Sequence, residues 1–150
     1  MIVVVQRVKN ASVTVEGRIV GSCGMGYVIL LGVANGDTEK DAEVLATKLA
    51  KLRIFEDENE KMNLSILDVD GEALVVSNFT LLANYSHGNR PEYLGAAAPA
   101  EANRLYEYFC DKLAVSVRRV EKGIFGADMR VEIIGDGPVT IVMDSKVLIK

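Results

Sequence analysis

Tyr27-Val-Ile-Leu-Leu-Gly-Val33 is a continuous apolar run bounded by glycines, and it reads as a central strand. The residues after it read as a helix. Asn35-Gly-Asp-Thr38 supplies the start, with Asp37 or Thr38 as N-cap. Ala42, Leu45, Leu49 and Leu52 then recur at spacings of three and four, which puts all of them on one face.

Upstream, Val3 to Val8 is β-branched and apolar and predicts a buried strand. Val13-Thr-Val-Glu-Gly-Arg-Ile-Val20 alternates around Glu16-Gly17, so a hairpin is predicted there, with Gly17 free to take positive φ. Downstream, Arg53-Ile-Phe55 predicts a short strand, Glu56 to Glu60 a solvated acidic turn, and Asp68 to Gly71 another turn. Glu72 to Leu82 predicts a strand. A second helix is predicted after Pro99, with Ala102, Leu105, Phe109 and Leu113 as its apolar stripe and Tyr106 and Cys110 alongside. Val115 to Val120, Met129 to Ile134 and Val139 to Met143 predict further strands, the last two separated by Gly135-Asp-Gly-Pro138. The predicted order is β-β-β-α-β-β-α-β-β-β: an α/β chain, mixed in type, with largely antiparallel sheets and two packed helices. At 150 residues it reads as a single domain spanning 1–150.

Apolar residues make up 49% of the chain, enough for a sizeable core. No apolar run approaches the roughly 18 residues that cross a bilayer, and the opening reads as a first strand rather than a secretory signal. Cys23 and Cys110 are far apart and read as structural thiols in a reducing compartment, so a cytoplasmic protein is expected. The net charge of −4 and pI of about 5.1 leave no broad basic footprint. Contact with any RNA partner must therefore be local, and DNA is not expected as a partner.

A Ser–His–Asp or Cys–His hydrolytic site needs a histidine base, and the sole histidine, His87, lies in the polar loop Asn84 to Gly95 with no acid beside it in sequence. One histidine and two scattered cysteines build no usual zinc site, and phosphate-cradling glycine loops are missing; no metal and no cofactor are expected. Catalysis would have to rest on hydroxyls, amides, backbone dipoles or the substrate itself. Ser77-Asn-Phe-Thr-Leu81 offers hydroxyls and a carboxamide beside backbone N–H groups that a bend would free, donors suited to the oxyanion of an attacked ester. Read as pattern alone, Ser77 and Thr80 are equally ordinary strand residues. Gly135-Asp-Gly-Pro-Val-Thr140 is a plain turn on the same terms, though a Gly-Pro step also tolerates a cis bond.

Together these segments resemble the D-aminoacyl-tRNA deacylase family. Val4-Val-Gln-Arg-Val8, Leu31-Gly-Val33, Arg53-Ile-Phe-Glu56, Lys61-Met-Asn-Leu64, Ser77 to Leu81, Arg90-Pro91, Phe125-Gly-Ala-Asp-Met129 and Gly137-Pro-Val-Thr140 carry the resemblance over nearly the whole chain. The resemblance implies that family's fold and a homodimer in which the Gly137-cis-Pro138 step of one subunit enters the other's active site. It implies that the Ser77–Leu81 segment lines the pocket, with N–H groups near Phe79 and Thr80 as oxyanion donors. Thr80 would be the nucleophile or, alternatively, the terminal 2′-hydroxyl of tRNA would take the catalytic part; Phe125 and Met129 would cradle the terminal adenosine, and Arg7 would fix the Gly-Pro loop. Asn78 stands where glutamine is usual, Gly135 where asparagine is common, and Glu92-Tyr93 where Ser-Phe is common.

The implied activity is cleavage of D-aminoacyl-tRNA, and of glycyl-tRNA mischarged on tRNA-Ala, as proofreading of translation. The main-chain region of Gly137 would occupy the space of an L side chain. Arg7, Arg90, Arg118, Arg119 and Lys122 are candidates to meet the acceptor stem. Two alternatives stay open: an editing domain that removes a wrong L-amino acid such as serine, and a non-catalytic dimer that binds nucleic acid or protein.

Overall fold

A computed structural model describes residues 1–150. Its elements run β1 (Ile2–Val15), β2 (Arg18–Cys23), β3 (Gly26–Gly32), α1 (Glu39–Lys51), β4 (Phe55–Glu56), β5 (Met62–Leu64), β6 (Glu72–Ser77), a 3-10 turn (Phe79–Leu82), α2 (Pro99–Ala114), β7 (Arg119–Lys122), β8 (Arg130–Asp144) and α3 (Ser145–Leu148). The main sheet has the order β2-β1-β3-β6-β7, with β8 also pairing β1. Pairings of β1 with β2, β3 and β8 are antiparallel, whereas β3–β6 and β6–β7 are parallel. The mixed α/β class and the antiparallel majority are as the sequence predicts.

Period-two alternation sorts the strands. Val3, Val5, Tyr27, Ile29 and Leu31 point to the face covered by α1 and α2, where Leu45, Leu49, Leu105, Phe109 and Leu113 complete a fully buried core. Val8, Val13, Val28, Leu74 and Val76 point to the other face and form a second, smaller cluster. The sheet curls until β2 meets β7. A side chain on Gly21 would lie 2.3 Å from the Lys122 carbonyl oxygen, so only glycine fits there.

Several boundaries differ from the sequence expectation for identifiable reasons. The strand predicted at Val3 to Val8 and the first arm of the hairpin are one strand, β1, because β8 pairs it along nearly its whole length. The hairpin turn itself is as predicted, with Glu16 and Gly17 at φ +50° and +77°. The strands predicted either side of Gly135–Pro138 are likewise one strand, β8, whose pairing with β1 shifts register between Gln6 and Asn10 while Gly137-Pro138 forms a cis peptide bond. The predicted strand Glu72 to Leu82 ends at Ser77, where the chain turns into the 3-10 segment. The strand expected at Val115 to Val120 starts at Arg119, because Val117 is buried in the turn that ends α2. The strand expected at Arg53 to Phe55 falls at Phe55–Glu56 and pairs with β5, and the acidic turn between them is held by Asp57, which accepts from the N–H groups of Asn59 and Lys61.

Thr38, not Asp37, caps α1, with Asp41 closing a capping box. Asp37 is instead buried, accepting from Ala34 N–H at 2.7 Å and pairing with the Met1 ammonium at 2.7 Å. Ser145, fully buried at the start of α3, donates to Asp41 at 2.6 Å and accepts from the same ammonium at 2.9 Å. Burial pushes the Asp41 carboxyl up, but the Ser145 hydroxyl, the Thr38 N–H and the ammonium outweigh it and hold the group below the usual aspartate range.

Candidate active site

Two adjacent parallel strands, β3 and β6, end side by side, and a cleft opens beyond their C-terminal ends. Asn78 N–H donates to the Leu31 carbonyl at 2.8 Å, which ties the first residue after β6 to the last turn of β3. The chain then winds into the 3-10 turn Phe79–Leu82, closed by Leu81 N–H to Asn78 and Ala83 N–H to Thr80. A helix start leaves its leading N–H groups without partners inside the helix, and no side chain caps this one. The N–H groups of Phe79 and Thr80 are those leading donors. Gly32 makes the arrangement possible: a side chain there would lie 2.5 Å from Leu82 and 3.1 Å from the Asn78 carbonyl oxygen.

The cleft encloses about 1080 Å³. Ser77, Asn78, Phe79 and Thr80 form one wall, Ala96 to Pro99 and Ala102 another, and Phe125 to Met129 with Val131 and Ile133 a third. The sequence-predicted residues of the Ser77–Leu81 segment and the Phe125/Met129 pair are thus brought together. Thr80 Oγ1 donates to Asn78 Oδ1, so the shortened carboxamide still meets the hydroxyl. Phe125 leans on Tyr106 with ring centroids 6.2 Å apart, and Met129 seats over Gly123, where a side chain would meet its sulfur at 2.6 Å.

Asp128 is the one charged side chain in the lining, which holds no histidine, cysteine, lysine or arginine. A carboxamide and a hydroxyl are poor proton acceptors. The cleft can bind an apolar or aromatic group and offer N–H dipoles to a developing oxyanion, but it holds no strong base next to Thr80. His87 is exposed on the loop outside the cleft.

Gly137 and Pro138 are exposed and do not line this chain's own cleft. Arg7 braces them from behind. It is buried, with Nε donating to the Asp136 carbonyl at 3.0 Å and Nη1 to the Ile54 carbonyl at 2.7 Å. Gly137 has φ +140°, and a side chain on it would lie 2.7 Å from Val139 N.

The candidate cations for RNA contact divide sharply. Arg118 pairs with Asp70 and Glu72, Arg119 with Glu121, and Lys122 with Glu107, so these cations are spent tying β7 to β6, to itself and to α2. Arg7 is buried. Of the set, Arg90 alone is exposed without an acidic partner.

Sequence reasoning missed Tyr93, Leu94 and Asp128 as lining residues. Tyr93 packs edge-on to Phe79, with centroids 5.0 Å apart at 74°. Only its place between two family motifs hinted at this. The missing signal was the Asn84↔Glu92 bridge, which turns the loop back onto the cleft.

A family model described as D-Tyr-tRNA(Tyr) deacylase matches residues 4–144. The D-aminoacyl-tRNA deacylase of Caldicellulosiruptor saccharolyticus is 57% identical over 143 residues, covering 95% of this chain and 96% of that one. Its counterpart in Koribacter versatilis is 56% identical over the same shares. A solved structure described as c-Myc DNA Unwinding Element Binding Protein matches with a TM-score of 0.91 at 41% identity, covering 96% of this chain and 98% of that one. Another, described as a probable eukaryotic D-amino acid tRNA deacylase, shares the fold with a TM-score of 0.81 at 18% identity, covering 95% and 98%.

Proposed function

The chain belongs to the D-Tyr-tRNA(Tyr) deacylase family and is a hydrolase of that kind, and from this premise we propose how its own residues act on D-aminoacyl-tRNA. The carrying observation is an apolar cleft that ends on the uncapped N–H groups of Phe79 and Thr80. The terminal adenosine lies against Phe125 and Met129, which leaves its aminoacyl ester facing the 3-10 turn. As the ester carbonyl is attacked, those N–H groups stabilise the oxyanion. One such donor is worth roughly 2.7–4 kcal/mol when removed. Thr80 serves as a hydrogen-bonding group, because no base stands ready to deprotonate it, and the 2′-hydroxyl beside the ester orients the attacking water. Ser77 and Asn78 shape the wall behind it. Ester cleavage then releases the free D-amino acid and tRNA.

Stereochemical choice falls to a second copy of the chain. Gly137-Pro138 is exposed and does not line its own cleft; it lies on a strand whose outer edge is unpaired and which exposes Ile134 at 50% and Val142 at 69%. A homodimer through this face would cover the aliphatic surface and insert the Gly137 main chain into the partner's cleft, where an L side chain would clash with it. A thousandfold preference corresponds to about 4 kcal/mol. Glycine, with nothing to clash, is also cleaved, including glycyl-tRNA mischarged on tRNA-Ala. The chain acts as one cytoplasmic domain proofreading translation.

The test is deacylation of matched D-, L- and glycyl-tyrosine-acceptor tRNAs by wild type and Gly137→Ala. Wild type should cleave the D and glycyl esters and spare the L ester, and the variant should lose rate or selectivity. Equal wild-type rates on D and L esters would sink the reading.

A second reading, nucleic-acid binding without catalysis, is favoured by the description of the relative at 41% identity. Against it stand the net charge of −4 and the paired state of Arg118, Arg119 and Lys122. A variant of the Phe79–Thr80 turn that keeps tRNA binding but loses hydrolysis separates the two.

A further inference from the structure

Between Asn84 and Glu92 the chain leaves the rim of the cleft and returns, and every residue from Tyr85 to Pro91 is exposed. Both ends of the loop are clamped. Asn84 and Glu92 exchange backbone hydrogen bonds at 2.8 and 2.9 Å, and the Asn84 amide donates to Glu92 Oε1 at 2.7 Å. Glu92 Oε2 accepts from Leu94 N–H at 2.6 Å, while Ser86 donates twice to Asn84 Oδ1, at 3.1 and 2.8 Å. The clamp therefore fixes the loop to Tyr93 and Leu94, which line the cleft itself.

What the loop presents is specific in kind. Tyr85 is 77% exposed, and His87 and Arg90 stand exposed near it without ion-pair partners. No aliphatic side chain lies between Tyr85 and Pro91, whereas β8, the strand of the proposed subunit contact, exposes Ile134 and Val142. An aromatic ring and an unpaired guanidinium, held at the mouth of a cleft for a terminal nucleotide, are the groups that recognise unpaired nucleotides by stacking and phosphate contact.

We infer that the loop Tyr85–Pro91 binds the single-stranded nucleotides immediately before the terminal adenosine, with Tyr85 stacking on a base and Arg90 meeting a phosphate. This rests on the proposed activity. It also explains how an acidic protein selects a long polyanion: the contact is confined to one short arm beside the active site.

The experiment compares wild type, Tyr85→Ala and Arg90→Ala on two substrates, D-tyrosyl-tRNA and D-tyrosyl-adenosine. On tRNA, Tyr85→Ala should lose roughly five- to a hundredfold in kcat/KM, the scale of one base stacked on an aromatic ring. Arg90→Ala should flatten the dependence of log(kcat/KM) on log salt by about 0.7, the contribution of one phosphate in a single strand. On D-tyrosyl-adenosine, which lacks the preceding nucleotides, both variants should match wild type. Equal losses on both substrates would make the loop a part of the cleft wall and overturn the inference. So would no loss on either, or a change in sedimentation, which would make the loop a subunit contact. Failure of wild type itself on D-tyrosyl-tRNA would instead refute the activity on which the inference rests.

Discussion

Replacing Gly32 with alanine should disable the site without touching substrate. Gly32 ends β3 directly behind the 3-10 turn and has no positive φ, so the added methyl acts through space alone. Its Cβ would lie 2.5 Å from Leu82 Cδ2, 3.1 Å from the Asn78 carbonyl oxygen and 3.1 Å from Leu81 Cβ. The leucine tip can swing aside. The other contacts involve backbone or a Cβ, and relieving them means moving the turn by a few tenths of an ångström. Overpacking of this kind typically costs about 1–3 kcal/mol. For a chain of this size, that lowers Tm by roughly 2–12 °C. The displaced atoms include the N–H groups of Phe79 and Thr80, whose worth depends on alignment with the oxyanion. Activity should therefore fall although the protein stays folded at assay temperature, about ten- to a hundredfold in kcat with little change in KM. Thermal unfolding and steady-state deacylation of D-tyrosyl-tRNA would be measured on the same preparation. A variant with lowered Tm but wild-type kcat would refute the assignment of the turn as the oxyanion site.

Thr80→Val keeps shape and removes the hydroxyl; single-turnover hydrolysis should slow by no more than about tenfold, because the N–H donors remain, and a loss above a thousandfold would identify Thr80 as the nucleophile. Ser145→Ala should destabilise the fold at neutral pH by about 1–3 kcal/mol in urea unfolding, since it removes bonds to charged partners. Asp41 is held below its ordinary value, so its contribution is present above the unfolded pKa and fades as pH falls through the folded one; the gap between wild type and variant should therefore narrow below about pH 4. Burial pushes the Cys23 and Cys110 thiols up to about 11 and about 12, so thiol reagents at pH 8 should label the protein only after unfolding. Val142→Asp should turn the proposed dimer into monomers by sedimentation and remove D-selective cleavage with it.

The parts of this fold that local chemistry dictates could be read in advance. Apolar periodicity located α1 and α2 through Leu45, Leu49, Leu105 and Phe109, and the Glu16-Gly17 pair located the first hairpin. Pairing partners could not be read. Glycine and proline at 135–138 carry the local marks of a break, yet β1 supplies hydrogen bonds on both sides of them, and the strand continues. The strand seemed to run on past Ser77 because Asn78, Phe79, Thr80 and Leu81 continue a polar–apolar alternation. The turn arises from contact with Gly32 and Leu31, far away in the chain. The candidate site residues were legible mainly through family resemblance, while Tyr93 and Leu94 depended on a loop closure set by Asn84 and Glu92.

A cleft whose lining lacks histidine, cysteine, lysine and arginine has another consequence. Most hydrolases slow in mild acid when their own base picks up a proton. Here the substrate brings the group that titrates near neutrality, an α-amine whose ordinary pKa is about 7.7–8.0. The acidity of the cell would then govern which ionic form of the ester is presented, leaving the protein itself an almost constant instrument.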